Sequence, residues 1–282
     1  MARLSDHTRL VNACIGFAKD VPKWPSPLHQ AGYRLDTIEP NFINSREEKV
    51  NPDLLFSSNR AIHTLVTECK RGHLSEDRIE KYRAITPENL RSEVDHIHDI
   101  NKLSNESLYV GTEKTEQSFD HLDFPDAGLI LANSEYYRRN RLKDDELNSE
   151  LEGDELPDRY PTHYYSFSAN DSRAIIAEKV SQHLMHVASK GEGIDGEFEP
   201  EEVASEIHEY WDAISLSAKS DLIGKIEDIL ELFAHRNVDE DMTQIEGSRT
   251  YYVRTSQAHH GTDSWRGSDI YRLSPVDLCC PL

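Results

Sequence analysis

The chain reads as an α/β protein with a smaller helical C-terminal part, and three observations carry that reading. Short apolar runs of strand character alternate with helical patterns as far as residue 190. A Gly-rich acidic stretch, Gly191 to Gly196, then interrupts the pattern and is the expected linker. Beyond it come two amphipathic helices and two strand-like pieces, so the expected domains are 1–190 and 191–282.

Taken in order, Leu10 to Ala18 is a short helix, and the Pro-rich VPKWPSPLHQAG after it forbids regular structure. YRLDTIEPNF reads as a strand ended by Pro40, and PDLLFSS and HTLVTECK as two more, separated by the polar SNRA. Ser75 is placed to cap the helix EDRIEKYRAI, with Glu76 and Asp77 in its first turn. Thr86-Pro87-Glu88 starts another helix, whose apolar face is Leu90, Val94, Ile97 and Leu103. SLYVGT and AGLILAN read as strands, SEYYRRNRLKDDELNSELEG as a polar helix, THYYSFS as a strand and DSRAIIAEKVSQHLMHVAS as a helix. Past the linker, Pro200 opens a helix carrying Val203, Ile207, Trp211 and Ile214. A second helix, Ser217 to His235, carries Leu222, Ile226, Leu230 and Phe233. RTYYVRTS and SDIYRLS, joined by QAHHGTDSWRG, form a long hairpin.

Composition narrows the function classes. The chain has 282 residues, 52 acidic against 31 basic, and a formal net charge of −21. Such a balance argues against a nucleic-acid partner at low salt. The acids are spread along the chain, a pattern that resembles proteins of salt-loving microbes. At molar salt the Debye length is roughly 3 Å, so close contacts rather than net charge decide binding. Thermal melts should therefore shift upward between low and molar NaCl, and a flat or falling melting temperature would refute this account of the charge. The N-terminal MARLSDHTRLVN lacks a long apolar segment, and no apolar run approaches the roughly 20 residues of a spanning helix. The four cysteines, Cys14, Cys69, Cys279 and Cys280, lack CxxC spacing. A cytoplasmic, reduced protein without a membrane partner is expected.

The candidate chemistry lies in NPDLLF and TLVTECKRG. On a strand, side chains at i and i+2 share a face, so Glu68 and Lys70 point together while Cys69 points to the buried side. Asp53 opens the neighbouring strand, and a hairpin brings its carboxylate beside Glu68. Two carboxylates at close range repel unless a cation lies between them, and hard oxygen ligands suit Mg²⁺, with Mn²⁺ as the alternative. The ligands would be Asp53, Glu68, the backbone carbonyl of Cys69 and water. Lys70 would position the attacking water or offset charge on a phosphate.

These residues resemble the PD-(D/E)XK nuclease superfamily. Pro52-Asp53 is similar to its PD element and Glu68-Cys69-Lys70 to its ExK element, and the resemblance spans roughly residues 30 to 170. It implies a restriction-endonuclease-like fold, a central mixed sheet flanked by helices, with Asp53, Glu68 and Lys70 catalytic and Mg²⁺ required for hydrolysis of DNA or, second, RNA. Many members carry another acid on the first helix. LVNACIGFA has none, and Glu39 or Glu47 would have to replace it. A glutamine often found on the helix after ExK is absent, with Arg78 nearest. The C-terminal element order resembles a winged-helix domain, its hairpin being the wing that carries Arg254, His259, His260, Trp265 and Arg266.

Nucleic-acid contacts are expected from Arg71, from Arg254 and Arg266 in the wing, and from the cluster Arg138, Arg139, Arg141 and Lys143. Tyr136 and Tyr137 beside that cluster are candidates for stacking on bases, although a helix face balanced by the DDE downstream explains it equally well. His96 and His98, two residues apart, do not share a helix face and read as solvated side chains. No phosphate-binding P-loop, dinucleotide Gly fingerprint or GxSxG occurs. The resulting expectation is a metal-dependent endonuclease acting on DNA, as a homodimer because two strands need two sites, with the C-terminal domain engaging DNA or a protein partner. The rivals are a non-catalytic nucleic-acid-binding or regulatory protein that keeps the nuclease-like fold, and an acidic scaffold.

Overall fold

The structure, a computed structural model, describes residues 4–94, 96–121, 126–132, 134–157, 160–161, 164–189, 196–236, 242–244 and 248–253. Two compact units emerge. The first is Ser5–Tyr165 with Asp212–Ala218, and the second is built from Ser166–Trp211 and the described residues from Lys219 onward. The division falls ahead of the Gly-rich stretch, of which residues 191–195 lie outside the described residues.

The first unit is α/β, a mixed sheet flanked by helices. Its helices are α1 (Asp6–Phe17), α2 (Pro27–Gln30), α3 (Glu76–Arg83), α4 (Pro87–Leu90), α5 (Glu113–His121) and α6 (Asp145–Glu150). Its strands are β1 (Arg34–Ile38), β2 (Phe42–Ile43), β3 (Lys49–Val50), β4 (Leu54–Ser58), β5 (His63–Lys70), β6 (Ser104–Gly111), β7 (Ala127–Ala132), β8 (Glu135–Arg139) and β9 (Asp154–Glu155). Among the described residues seven strands form one sheet in the order β1-β4-β5-β6-β7-β8-β9, and β2 and β3 make a separate hairpin. β5 pairs antiparallel with β4 and parallel with β6, and β6 pairs parallel with β7. All of β4 and all of β5 but Lys70 are buried, as expected of central strands covered on both faces. At the outer edge, Ile38 pairs in parallel with Ile214, and Ser215 N–H donates to the Ile38 carbonyl at 3.0 Å.

Several sequence expectations fail in this unit. The Pro-rich connector is not irregular throughout, since Pro27 opens the short helix α2 within it. The first helix starts at Asp6 rather than Leu10, because Ser5 caps it by accepting the Thr8 N–H at 3.1 Å. The apolar series Leu90, Val94, Ile97 and Leu103 is buried, yet the helix stops at Leu90. The backbone continues in turns, Glu93 N–H donating to Leu90 O and Ile97 N–H to Val94 O. His96, expected to be solvated, instead reaches the buried Ser57 Oγ at 2.9 Å and Asp36 at 3.4 Å. The polar stretch from Ser134 is not one helix: its EYYRR pairs as β8 and only Asp145–Glu150 is helical. The described part of THYYSFS, residues 164–168, forms no strand, because the Asn12 carboxamide does the work of a strand neighbour. It donates to Tyr165 O at 2.7 Å and accepts Tyr165 N–H at 3.0 Å.

The second unit contains α7 (Arg173–Ser189), β10 (Gly196–Phe198), α8 (Pro200–Ile207), most of α9 (Leu216–Arg236), β11 (Met242–Gln244) and β12 (Tyr251–Val253). Its strands form an antiparallel sheet in the order β10-β12-β11. Val203, Leu222, Ile226, Leu230 and Tyr251 are buried in this unit. α8 is shorter than its pattern: it ends at Ile207, with Trp211 in a following 3-10 turn. The hairpin observed is β11–β12. The SDIYRLS piece and the connector before it lie outside the described residues.

His208, just past α8, is 1% exposed and packs edge-on against Phe167 at 4.6 Å. Burial, with the charge of Lys179 adding, lowers its pKa from 6.5 to about 3. Between those values the unfolded chain holds a proton that the folded chain does not, so stability is full above pH 6.5 and lost as pH falls toward 3. The loss from this group is bounded at on the order of 5 kcal/mol. Urea unfolding from about pH 7 to about pH 4 should show a shallower decline in His208→Gln than in the wild type. Equal slopes would remove His208 as a cause of acid sensitivity.

Candidate active site

Hairpin register makes the site. Leu54 faces Thr67 across β4 and β5, which sets Asp53 next to Glu68. Asp53 N–H donates to Thr67 O at 3.0 Å, and Asp53 Oδ2 accepts Cys69 N–H at 2.6 Å. The carboxylate is thus stapled to the strand that carries Glu68. Cys69 points the other way, as strand alternation requires, and its Sγ lies 3.7 Å from Cys14 Sγ.

α1 adds a residue that the sequence reading missed. His7 Nε2 lies 3.2 Å from Asp53 Oδ1, and His7 Nδ1 lies 3.2 Å from the Cys69 carbonyl oxygen. A carbonyl only accepts, so Nδ1 carries a proton and Nε2 faces the carboxylate. Burial alone would lower the His7 pKa, but the hydrogen bond and charge of Asp53, helped by Glu68 and Glu39, lift it to about 9. The Ser5-Asp6-His7-Thr8 cap was the available signal, since it starts the helix early enough to include His7. Of the two acids considered as replacements for a first-helix acid, Glu39 accepts the Tyr165 hydroxyl at 2.8 Å and lies near enough to act on His7. Glu47 is exposed in the turn between β2 and β3.

Glu68 is held on both oxygens. Tyr82 OH donates to Oε2 at 2.6 Å, and Arg78 Nη2 lies 2.8 Å from Oε1. Its side chain is only 3% exposed. Burial and then the charge of Asp53 raise its pKa to about 7, against the opposing pull of Arg78, Tyr82 and Lys70. Lys70 ends β5 half-buried, and among the described residues its ammonium has no ion-pair partner.

The other expected contacts are not drawn into this group. Arg71 is exposed and pairs with Asp6 at 3.0 Å. The basic cluster lies on β8 and the loop after it, three strands from β5, roughly 14 Å at ordinary strand spacing. Arg139 pairs with Glu116 at 3.4 Å and Arg141 with Asp145 at 2.7 Å. Lys143 Nζ donates to Asn105 O at 3.3 Å, and the Arg138 guanidinium donates to the Asn140 carbonyl. Tyr136 is buried, and Tyr137 OH donates to Glu116 at 2.7 Å. Arg254 and Arg266, with His259, His260 and Trp265, lie outside the described residues.

Among the described residues no three His, Cys, Asp or Glu side chains form a ready metal cage. The donor chemistry nevertheless fits a hard divalent cation. The His7–Asp53 contact at 3.2 Å is an ion pair, and the hard oxygen donors are the Asp53 and Glu68 carboxylates. The Cys69 carbonyl, held by His7 Nδ1, adds a third oxygen, and Mg²⁺ ordinarily keeps several waters rather than a full protein cage.

Comparison with known proteins covers both units. The model of the MJECL32 domain matches residues 6–129, which include His7, Asp53, Glu68, Lys70, Arg78 and Tyr82. The model of a domain of unknown function, DUF8601, matches residues 168–261. The chain is similar to a Methanocaldococcus jannaschii protein, "Uncharacterized protein MJECL32", at 26% identity over 129 residues. That match takes in 42% of this chain and 29% of the relative, so the chain spans less than a third of the relative's length. No solved structure matches the chain.

Proposed function

We propose that the chain is a metal-dependent nuclease of the PD-(D/E)XK type, cleaving DNA or, second, RNA, with a restriction-endonuclease-like catalytic unit. One observation carries the reading. Asp53 and the buried Glu68 meet at the end of two central strands, beside the Lys70 ammonium, whose positive charge acts on Glu68. The mixed sheet, with β4 antiparallel and β6 and β7 parallel to the ExK strand, supports the same fold. The second unit's order of elements and its β10-β12-β11 sheet support a winged-helix-like module that engages DNA or a protein partner.

Asp53, Glu68 and the Cys69 carbonyl would hold Mg²⁺ or Mn²⁺. When bound, the cation activates water and stabilises charge on a phosphodiester. Lys70 supplies a fixed positive charge toward the phosphate or the attacking water. Tyr82 orients Glu68, and His7 orients Asp53 and the Cys69 carbonyl. The setting is cytoplasmic, and a homodimer supplies two sites for two strands. Among the described residues no helix is long and apolar enough to cross a membrane.

A second reading has its own observation. Arg78 and Tyr82 satisfy Glu68, while His7 and the Cys69 N–H satisfy Asp53, so the group is complete without a metal. A non-catalytic nucleic-acid-binding or regulatory protein would keep it in this form. Plasmid and oligonucleotide cleavage in molar KCl, with Mg²⁺, Mn²⁺ or a chelator, separates the two. Metal-dependent cleavage is expected. Nucleic-acid binding without cleavage favours the second reading, and no metal binding at all overturns the first.

A further inference from the structure

Arg78 has no part in the chemistry just described, yet it touches its central carboxylate. The pair is unequal: the Glu68 side chain is 3% exposed and the Arg78 side chain 40% exposed. Glu68 is fixed from the other side by Tyr82, whereas the guanidinium enters from solvent on the first turn of α3 and lies 5.9 Å from the Tyr82 ring centroid. A divalent cation on Glu68 and the guanidinium on Oε1 would be like charges on one carboxylate, which repel strongly where water is scarce. Tyr82 is neutral and can stay. Arg78 is the partner that must leave, and its exposure lets it do so.

We propose that Arg78 is the resident counter-ion of Glu68 in the metal-free protein, that a divalent cation displaces it, and that the released guanidinium then binds a backbone phosphate of the nucleic acid. This rests on the metal-dependent nuclease reading. The displaced fork stays tethered beside the site, and guanidinium matches phosphate oxygens in a bidentate manner. Metal binding thereby creates an anion-binding group, so the nucleic acid follows the metal. By linkage each strengthens the other.

The experiment combines Mg²⁺ calorimetry at alkaline pH, where Glu68 is ionised, with anisotropy of a short labelled oligodeoxynucleotide. The anisotropy uses a Lys70→Ala background so that cleavage of the probe is slow. Arg78→Gln should bind Mg²⁺ about tenfold more tightly, and in Mg²⁺ should bind the oligonucleotide about tenfold more weakly. Arg78→Lys should lie between it and the parent on both measures, and serves if the Gln variant does not fold. Unchanged or weaker Mg²⁺ binding in a folded Arg78 variant overturns the counter-ion role while leaving the nuclease reading standing. Tighter Mg²⁺ binding with unaltered oligonucleotide binding overturns the transfer to phosphate. No Mg²⁺ binding in parent or variant overturns the nuclease reading itself and this inference with it.

Discussion

Lys70→Ala should slow cleavage by about 10²–10³ and keep the metal, whereas Glu68→Gln should lose both. The asymmetry follows from charge. Removing the Lys70 ammonium takes a positive charge away from the carboxylates, so Mg²⁺ binding persists or tightens. What goes is stabilisation of developing negative charge, typically about 10²–10³ in rate for one donor in such a position. Glu68→Gln keeps the Tyr82 hydrogen bond but loses the anionic ligand, and with it the stabilisation that Mg²⁺ confers on the fold. That stabilisation is about 2.7 kcal/mol when Mg²⁺ is a hundredfold above its dissociation constant. Calorimetric Mg²⁺ titrations and Mg²⁺-dependent melts, run beside the cleavage assay, read both effects. Equal Mg²⁺ affinity in the wild type and Glu68→Gln would sink the site. A residue pair that served only structure would give no such split, since either substitution would alter stability without touching the response to Mg²⁺.

Gly128→Val should destabilise the first unit by about 2–3 kcal/mol, chiefly through overpacking. Gly128 lies on β7, paired with Tyr109 of β6 on one side and Arg139 of β8 on the other, so the backbone cannot retreat. A Cβ there would stand 2.3 Å from Phe119 Cζ, on the helix that packs over the strand. Phe119→Leu clears that space at the cost of its own packing. Urea unfolding of the two single variants and the double variant should then show positive coupling, the double being more stable than the sum of its parts. Strict additivity would mean that the ring and the missing methyl do not compete.

The strands around the site were legible because their chemistry is local. HTLVTECK spans β5 residue for residue, bounded by a polar turn before it and the charged KRG after it. Once two strands joined by SNRA are accepted, the meeting of Asp53 with Glu68 follows from the register of a hairpin. His7 is 46 positions before Asp53 and reaches it only through helix packing, which no window of sequence reveals. Arg78 and Tyr82 were visible as helix residues, but that they would close on opposite oxygens of Glu68 depends on how α3 lies against the sheet. β8 was misread because charge was given more weight than the Tyr136-Tyr137 pair, although aromatic residues favour strands. THYYSFS was misread for the opposite reason. Its composition suits a strand, and a single distant carboxamide supplied the hydrogen bonds that a ladder would have given.

The pairing of Ile214 and Ser215 with the rim of β1 has a practical side. A fragment ending at Tyr165 would contain every residue of the candidate site and the whole seven-stranded sheet, yet it would lack the Asp212–Ala218 segment that completes the unit. Ile38 and Glu39 would then present open carbonyls at the sheet's rim, since Ser215 N–H and Oγ no longer reach them. An uncovered rim is a template for pairing with another copy. The two halves of this polypeptide are therefore interleaved rather than serial. Sticky, self-associating preparations of the isolated N-terminal piece would report a lost seven-residue clasp, not a failure of the α/β unit to fold.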